Sequence, residues 1–155
     1  MEFNSFINTL VRTLPLCMVL VATIGTGPAQ AQQGGTFVVG NDRGGPIGDR
    51  ADEIARLTAY GIKVEIRGNI CYSSCTMYLG AGNVCISPST TFGFHGPSDW
   101  GRPLQSAEFD RWSEIMARFY NPPLRQIFMT EARYRQVNLY RLTGEQISAM
   151  GYAVC

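Results

Sequence analysis

A chain of 155 residues with a net charge of +1 and 16% charged residues offers no basic block or stripe for nucleic acid. What lies beyond the first 31 residues is enough for one domain with a modest core.

Those first 31 residues read as a secretory signal. A polar start carrying Arg12 leads into an apolar run from Leu14 to Ile24, then Gly25, Gly27 and Pro28. Ala29-Gln30-Ala31 places small residues at the first and third positions before Gln32, as signal peptidase requires. The run is too short to span a bilayer, and Leu16 before Cys17 does not suit a lipid-modified start. The competing reading is an uncleaved anchor. The expectation is a periplasmic or secreted protein, cleaved near Ala31 and thereafter free of the membrane, with residues 32–155 as its single domain.

The mature part holds four cysteines, Cys71, Cys75, Cys85 and Cys155. An even number in an exported domain argues for two disulfides, with three pairings open. A metal site built from Cys71, Cys75, Cys85 and His95 fits no standard zinc spacing, so neither metal nor cofactor is expected.

Thr36 to Val39 is a short apolar run ending in the glycine turn Gly40-Asn41-Asp42-Arg43-Gly44-Gly45-Pro46, the pattern of a buried strand and its turn. Asp49 to Tyr60 carries apolar residues at helical spacing, acids in its first turn and Gly61 as its stop. Ile62, Val64 and Ile66 alternate with Lys63, Glu65 and Arg67, which predicts a strand. Ser73 to Leu79 suits a short helix closed by Gly80-Ala81-Gly82. Two further strands are expected at Val84 to Ser87 and at Thr91 to Phe94, with Pro88 between them.

After a loop rich in glycine and proline, a helix is predicted from about Ser106 to Tyr120. Its stripe of Phe109, Trp112, Ile115, Met116 and Phe119 is read as core or subunit packing. Asn121-Pro122-Pro123 breaks it, and a second helix runs from Pro123 to about Gln136. Thr143-Gly144-Glu145-Gln146 has the form of a capping box for a short helix that stops at Gly151. Tyr152 to Cys155 is a candidate last strand. This alternation predicts an α/β domain with a mostly parallel sheet and flanking helices. In such sheets, sites form where glycine turns leave the carboxyl ends of strands.

Two such turns stand out, Gly44-Gly45 and Cys71-Tyr72-Ser73-Ser74-Cys75, followed by the chain's single histidine, His95, after its own strand. A hydroxyl and an imidazole are the minimum equipment for acyl transfer. The competing reading of His95 is a packed or exposed bystander.

The order strand, Gly-Gly, helix, strand, serine turn, helix, Ala-Gly, strand, Pro, and strand ending in His resembles the Clp-protease/crotonase superfamily. It looks closest to exported bacterial Clp-protease-like proteins whose serine turn reads Cys-x-Ser-Ala-Cys. The resemblance runs from about Phe37 to Gly96 and returns from Leu142 to Val154.

It implies Ser73 as nucleophile, His95 as general base, and an oxyanion hole drawn from Gly44, Gly45 and the Ser74 amide. Leu139 aligns with the family's third triad residue, an aspartate, and leaves neighbouring Asn138 as the candidate orienter of the imidazole. Asp42-Arg43 stands where the family has Ser-Pro. The resemblance also implies a Cys71–Cys75 pair, which leaves Cys85 with Cys155. The family has further strands and a helix before its Gly-Gly strand, so the fold is expected to be N-terminally abbreviated. One sheet edge would then be covered by self-association or a partner. The implied function is a periplasmic serine hydrolase acting on a peptide or protein. The alternatives are a catalytically inactive binding or assembly module on the same fold, and a small disulfide protein of another fold.

Overall fold

Described in this computed structural model are residues 34–155; the expected secretory leader and the cleavage expected near Ala31 lie outside the described residues. The first strand, β1 (Thr36–Val39), leads through the glycine turn into helix α1 (Ile47–Ala59). Asp49 in the first turn and Arg56 in the last complement the helix dipole. Ile54 and Leu57, three residues apart, share the buried face, each contributing about 1.5–3 kcal/mol by leaving water. Strand β2 (Lys63–Ile66) follows, with Val64 and Ile66 fully buried and Lys63 and Glu65 turned outward. It pairs in parallel with β1, Thr36 opposite Lys63, and on its other side with β4 (Val84–Ile86).

The α/β class expected from the pattern is present, but the sheet is not single. A turn at Gly68-Asn69, held where Asn41 Oδ1 accepts the Asn69 N–H at 2.7 Å, redirects the chain after β2. The next strand, β3 (Ile70–Tyr72), therefore starts a second sheet. There β3 pairs in parallel with β5 (Thr91–Phe94), which pairs antiparallel with β6 (Tyr140–Thr143). The first sheet is all parallel and the second mixed. The candidate strand Tyr152 to Cys155 reduces to a single bridge, Val154 beside Ile86.

Between β3 and β4 lies a 3₁₀ helix, Ser73–Gly80, which touches α1, β4, β3 and β5 and so packs against both sheets. Every residue from Ser74 to Leu79 is buried. This winding is long for 3₁₀ geometry. One contributor is the Thr76 hydroxyl, which donates to the Ser73 carbonyl at 2.7 Å and competes there with the regular helical pattern.

Helix α2 (Ser106–Ala117) ends earlier than its stripe predicts, the chain tightening into i−3 hydrogen bonds over residues 118–120. Helix α3 (Pro122–Thr130) is capped by the Asn121 side chain, with prolines in its first turn. It stops short of Gln136 at Glu131, and a 3₁₀ turn, Ala132–Tyr134, follows. Helix α4 (Gly144–Ala149) carries the complete capping box between Thr143 and Gln146. No helix among the described residues is long and apolar enough to cross a membrane.

Candidate active site

Three segments run side by side and in register where the site forms. Asp42 bridges in parallel to Cys71, and Cys71 pairs in parallel with Phe92. Two residues further along each segment stand Gly44, Ser73 and Phe94, with His95 next. The glycine arm, the serine and the histidine thus leave the same carboxyl edge of neighbouring parallel segments. This is the place where open α/β sheets form sites.

Ser73 follows β3 and starts the 3₁₀ helix with φ +58°, a left-handed conformation that a residue with a Cβ seldom adopts. Its carbonyl is held by the Thr76 hydroxyl, which in turn bonds the Tyr120 hydroxyl at 2.7 Å. Because the Thr76 proton goes to Ser73, Tyr120 is the donor in that second bond. Burial pushes the Tyr120 phenol well above its ordinary range, so it remains a neutral donor. The Cys71–Cys75 disulfide closes the turn from the other side.

The glycine arm is fixed to this turn. Asp42 accepts the Gly44 N–H at 2.7 Å and an Arg50 guanidinium N–H at 2.7 Å. Arg50 also reaches Glu53 at 3.0 Å, and Tyr78 donates to the same carboxylate at 2.6 Å. Gly44 has φ +94°, and a Cβ there would stand 2.5 Å from Ser73 Cβ, so only glycine fits. Ser74 clasps the arm from below. Its Oγ accepts the Gly45 N–H at 2.8 Å and donates to the Gly45 carbonyl at 3.0 Å. Both glycine amides expected to serve an oxyanion hole are therefore occupied, Gly44 by Asp42 and Gly45 by Ser74. The Ser74 amide sits in the first turn of the 3₁₀ helix, where N–H groups lack intrahelical partners.

His95 is half-buried, and its Nδ1 lies 2.6 Å from the Gly96 carbonyl. A carbonyl only accepts, so Nδ1 is the donor in this contact, and in the neutral ring that tautomer leaves the lone pair on Nε2. Gly96 is seated against the Arg133 carbonyl, and a Cβ on it would stand 2.6 Å from the Phe109 ring. Asn138, expected to orient the imidazole, is exposed just before β6, and the bond at Nδ1 goes to Gly96 instead. Among the described residues no hydrogen bond joins Ser73 to His95, but both line one cleft of about 740 Å³. That volume lies within the range of small-molecule sites. Gly44 and Gly45 line it too, as do Ile47, Leu104, Trp112 and Met116.

The four cysteines pair as the resemblance implies, Cys71 with Cys75 and Cys85 with Cys155. Cys71, Cys75 and Cys85 accordingly offer no thiolate to a cation. Several contributors escaped the sequence reading. The spacing Asp42-Arg43-Gly44 is that of an Asx-type turn and was legible as one. The Thr76–Tyr120 link carries no local signal, because tertiary packing joins residues 44 positions apart. No family model and no curated protein matches the chain.

Proposed function

We propose that the chain is an exported, peptidase-like serine hydrolase in which Ser73 is the nucleophile and His95 the general base. The carrying observation is the shared strand edge, which sends Ser73, in its strained left-handed conformation, and His95 into one cleft. With Nδ1 protonated toward Gly96, Nε2 is the atom that takes the Ser73 proton as Oγ attacks a carbonyl carbon. The same proton then passes to the leaving group as its bond to the acyl carbon breaks, leaving acyl-Ser73. Water, giving its proton to Nε2, attacks that ester, and the proton returns to Ser73 Oγ as the acid departs. The Ser74 amide supports the developing oxyanion. The Gly96 carbonyl orients the ring but brings no full negative charge. Losing that charge costs about 10⁴ in rate in the well-studied triad, so turnover is expected to be slow. The resemblance to the Clp-protease/crotonase superfamily belongs to this proposal, as does export, for which the two disulfides speak.

A second reading, an inactive binding or assembly module, is favoured by one observation: the Gly44 and Gly45 amides are already bonded within the protein. Such a module would use the outer edge of β1, where Val38 is 56% exposed, for a second copy or a partner. A fluorophosphonate probe separates the readings. The hydrolase labels, and Ser73→Ala and His95→Ala abolish labelling while keeping the unfolding transition. A module does not label at any pH at which it stays folded.

A further inference from the structure

Asp99 to Arg102 forms a two-residue hairpin, closed by reciprocal backbone bonds of 2.9 Å between Asp99 and Arg102. An ion pair of 2.6 Å joins the same two side chains, and Ser98 Oγ accepts the Gly101 N–H at 3.2 Å. The two central residues, Trp100 at φ +51° and Gly101 at φ +84°, both adopt the left-handed conformation of the mirror-image turn. That conformation suits Asn, Asp or Gly in the first central place, and a bulky residue there is disfavoured by roughly 1–2 kcal/mol. Trp100 is nevertheless 89% exposed, so neither burial nor backbone preference explains an indole at this place. What its position does give is a wall of the cleft that holds Ser73 and His95.

The same cleft is lined by Ile47, Leu104, Met116 and the half-buried Trp112. Asp99, the acid beside the indole, is already paired with Arg102. We infer that Trp100 is a specificity-determining residue, stacking the aromatic side chain of an extended peptide held in this cleft. This deepens the proposed hydrolase and rests on that reading for its chemistry. A phenyl ring against an indole adds about 0.5–1.5 kcal/mol beyond the area it buries, and the same cleft is lined by the aliphatic and thioether side chains of Ile47, Leu104 and Met116. A sugar ring would also stack on the indole, and Arg43, Ser98 and Glu108 of the lining offer its hydroxyls partners, but a glycosidic bond carries no carbonyl carbon for Ser73 to attack.

The chain has two tryptophans, Trp100 and Trp112, and both line the cleft, so indole fluorescence reports on this site alone. The test uses the oxidised full chain carrying Ser73→Ala, which removes turnover. It is titrated with acetyl-Ala-Phe-Ala-amide, acetyl-Ala-Glu-Ala-amide and a chito-oligosaccharide. The expected result is a saturable shift with the Phe peptide at an affinity roughly tenfold above the other two. Trp100→Ala should abolish that preference, read through Trp112, and Trp100→Phe should restore most of it. Trp100 is exposed, so these variants should keep the parent unfolding curve. Equal affinity for the Phe and Glu peptides, preference for the sugar, no saturable shift, or unchanged affinity in Trp100→Ala overturns the inference. Probe labelling of the wild-type serine is scored separately. A protein that labels without an aromatic preference retains the hydrolase and loses the Trp100 assignment. One that prefers the Phe peptide but never labels does the reverse.

Discussion

Ser74 shows how one side chain sets the state of the site. Its hydroxyl makes two bonds to Gly45, accepting from the amide and donating to the carbonyl, and so clamps the glycine arm onto the serine turn. The clamp also withholds the Gly45 N–H from any oxyanion. Ser74→Ala removes both bonds without changing the backbone, and Gly45 is exposed enough for water to take over its amide. We expect stability to fall by about 1 kcal/mol and the rate of phosphonylation to rise, because one more donor is free. Urea unfolding and second-order labelling kinetics measure the two effects. A labelling rate that falls with stability would show that the clamp positions Ser73 and does not restrain it. The sequence made Ser74 visible only through its amide, as the residue after the proposed nucleophile. Its side-chain role depends on a contact 29 positions away along the chain.

At the scale of elements, segments with an apolar run, a helical period or a capping signal were legible, and the two strands without one, β3 and β6, were not. Strands β1 and β5 appear where their apolar runs place them, and the capping box of α4 forms in full. Strand β3 has three residues, too few to show a period, and it hides between a turn and the serine motif. Strand β6 alternates exposed Arg141 with buried Leu142 for only four residues, directly before a helix cap. Missing these two conceals the second sheet, although β3 and β5 are the strands that bring Ser73 and His95 together.

Three phenols lie at least half-buried in different settings: Tyr78 donates to Glu53 of α1, Tyr120 after α2 bonds Thr76, and the Tyr152 hydroxyl after α4 accepts the Asn121 N–H. Burial raises the phenol pKa of Tyr78, Tyr120 and Tyr152 above the ordinary value near 10. A group whose folded pKa lies above its unfolded one stabilises fully below the unfolded value, and that stabilisation is lost as pH rises. Urea stability should therefore be level from pH 8 to 9.5 as far as these phenols are concerned and decline from about pH 10 upward. Tyr120→Phe should flatten part of that slope. A stability that rises between pH 10 and 11 would contradict this arrangement.

For the whole molecule, the two disulfides have different work. Cys85–Cys155 spans 70 positions and ties the C-terminus to β4, beside the Ile86–Val154 bridge. Cys71–Cys75 spans 4 positions and closes only the serine turn. Loop-closure entropy gives roughly 4 kcal/mol for the long loop and roughly 2 for the short one. Cys85→Ser with Cys155→Ser should therefore lower global stability about twice as much as Cys71→Ser with Cys75→Ser. The short pair should instead act on the site, slowing phosphonylation more than the long pair does. Denaturant unfolding and labelling rates of the two double variants check this, and the reverse ordering in both measurements would contradict it.

The central claim, that Ser73 is an activated nucleophile served by His95, is tested most directly by locating a covalent adduct. The oxidised protein is treated with a fluorophosphonate, and the adduct is mapped by peptide mass spectrometry. The account predicts a single adduct on Ser73, absent from His95→Ala. No adduct on the folded protein, or one on another residue that persists in Ser73→Ala, would contradict it.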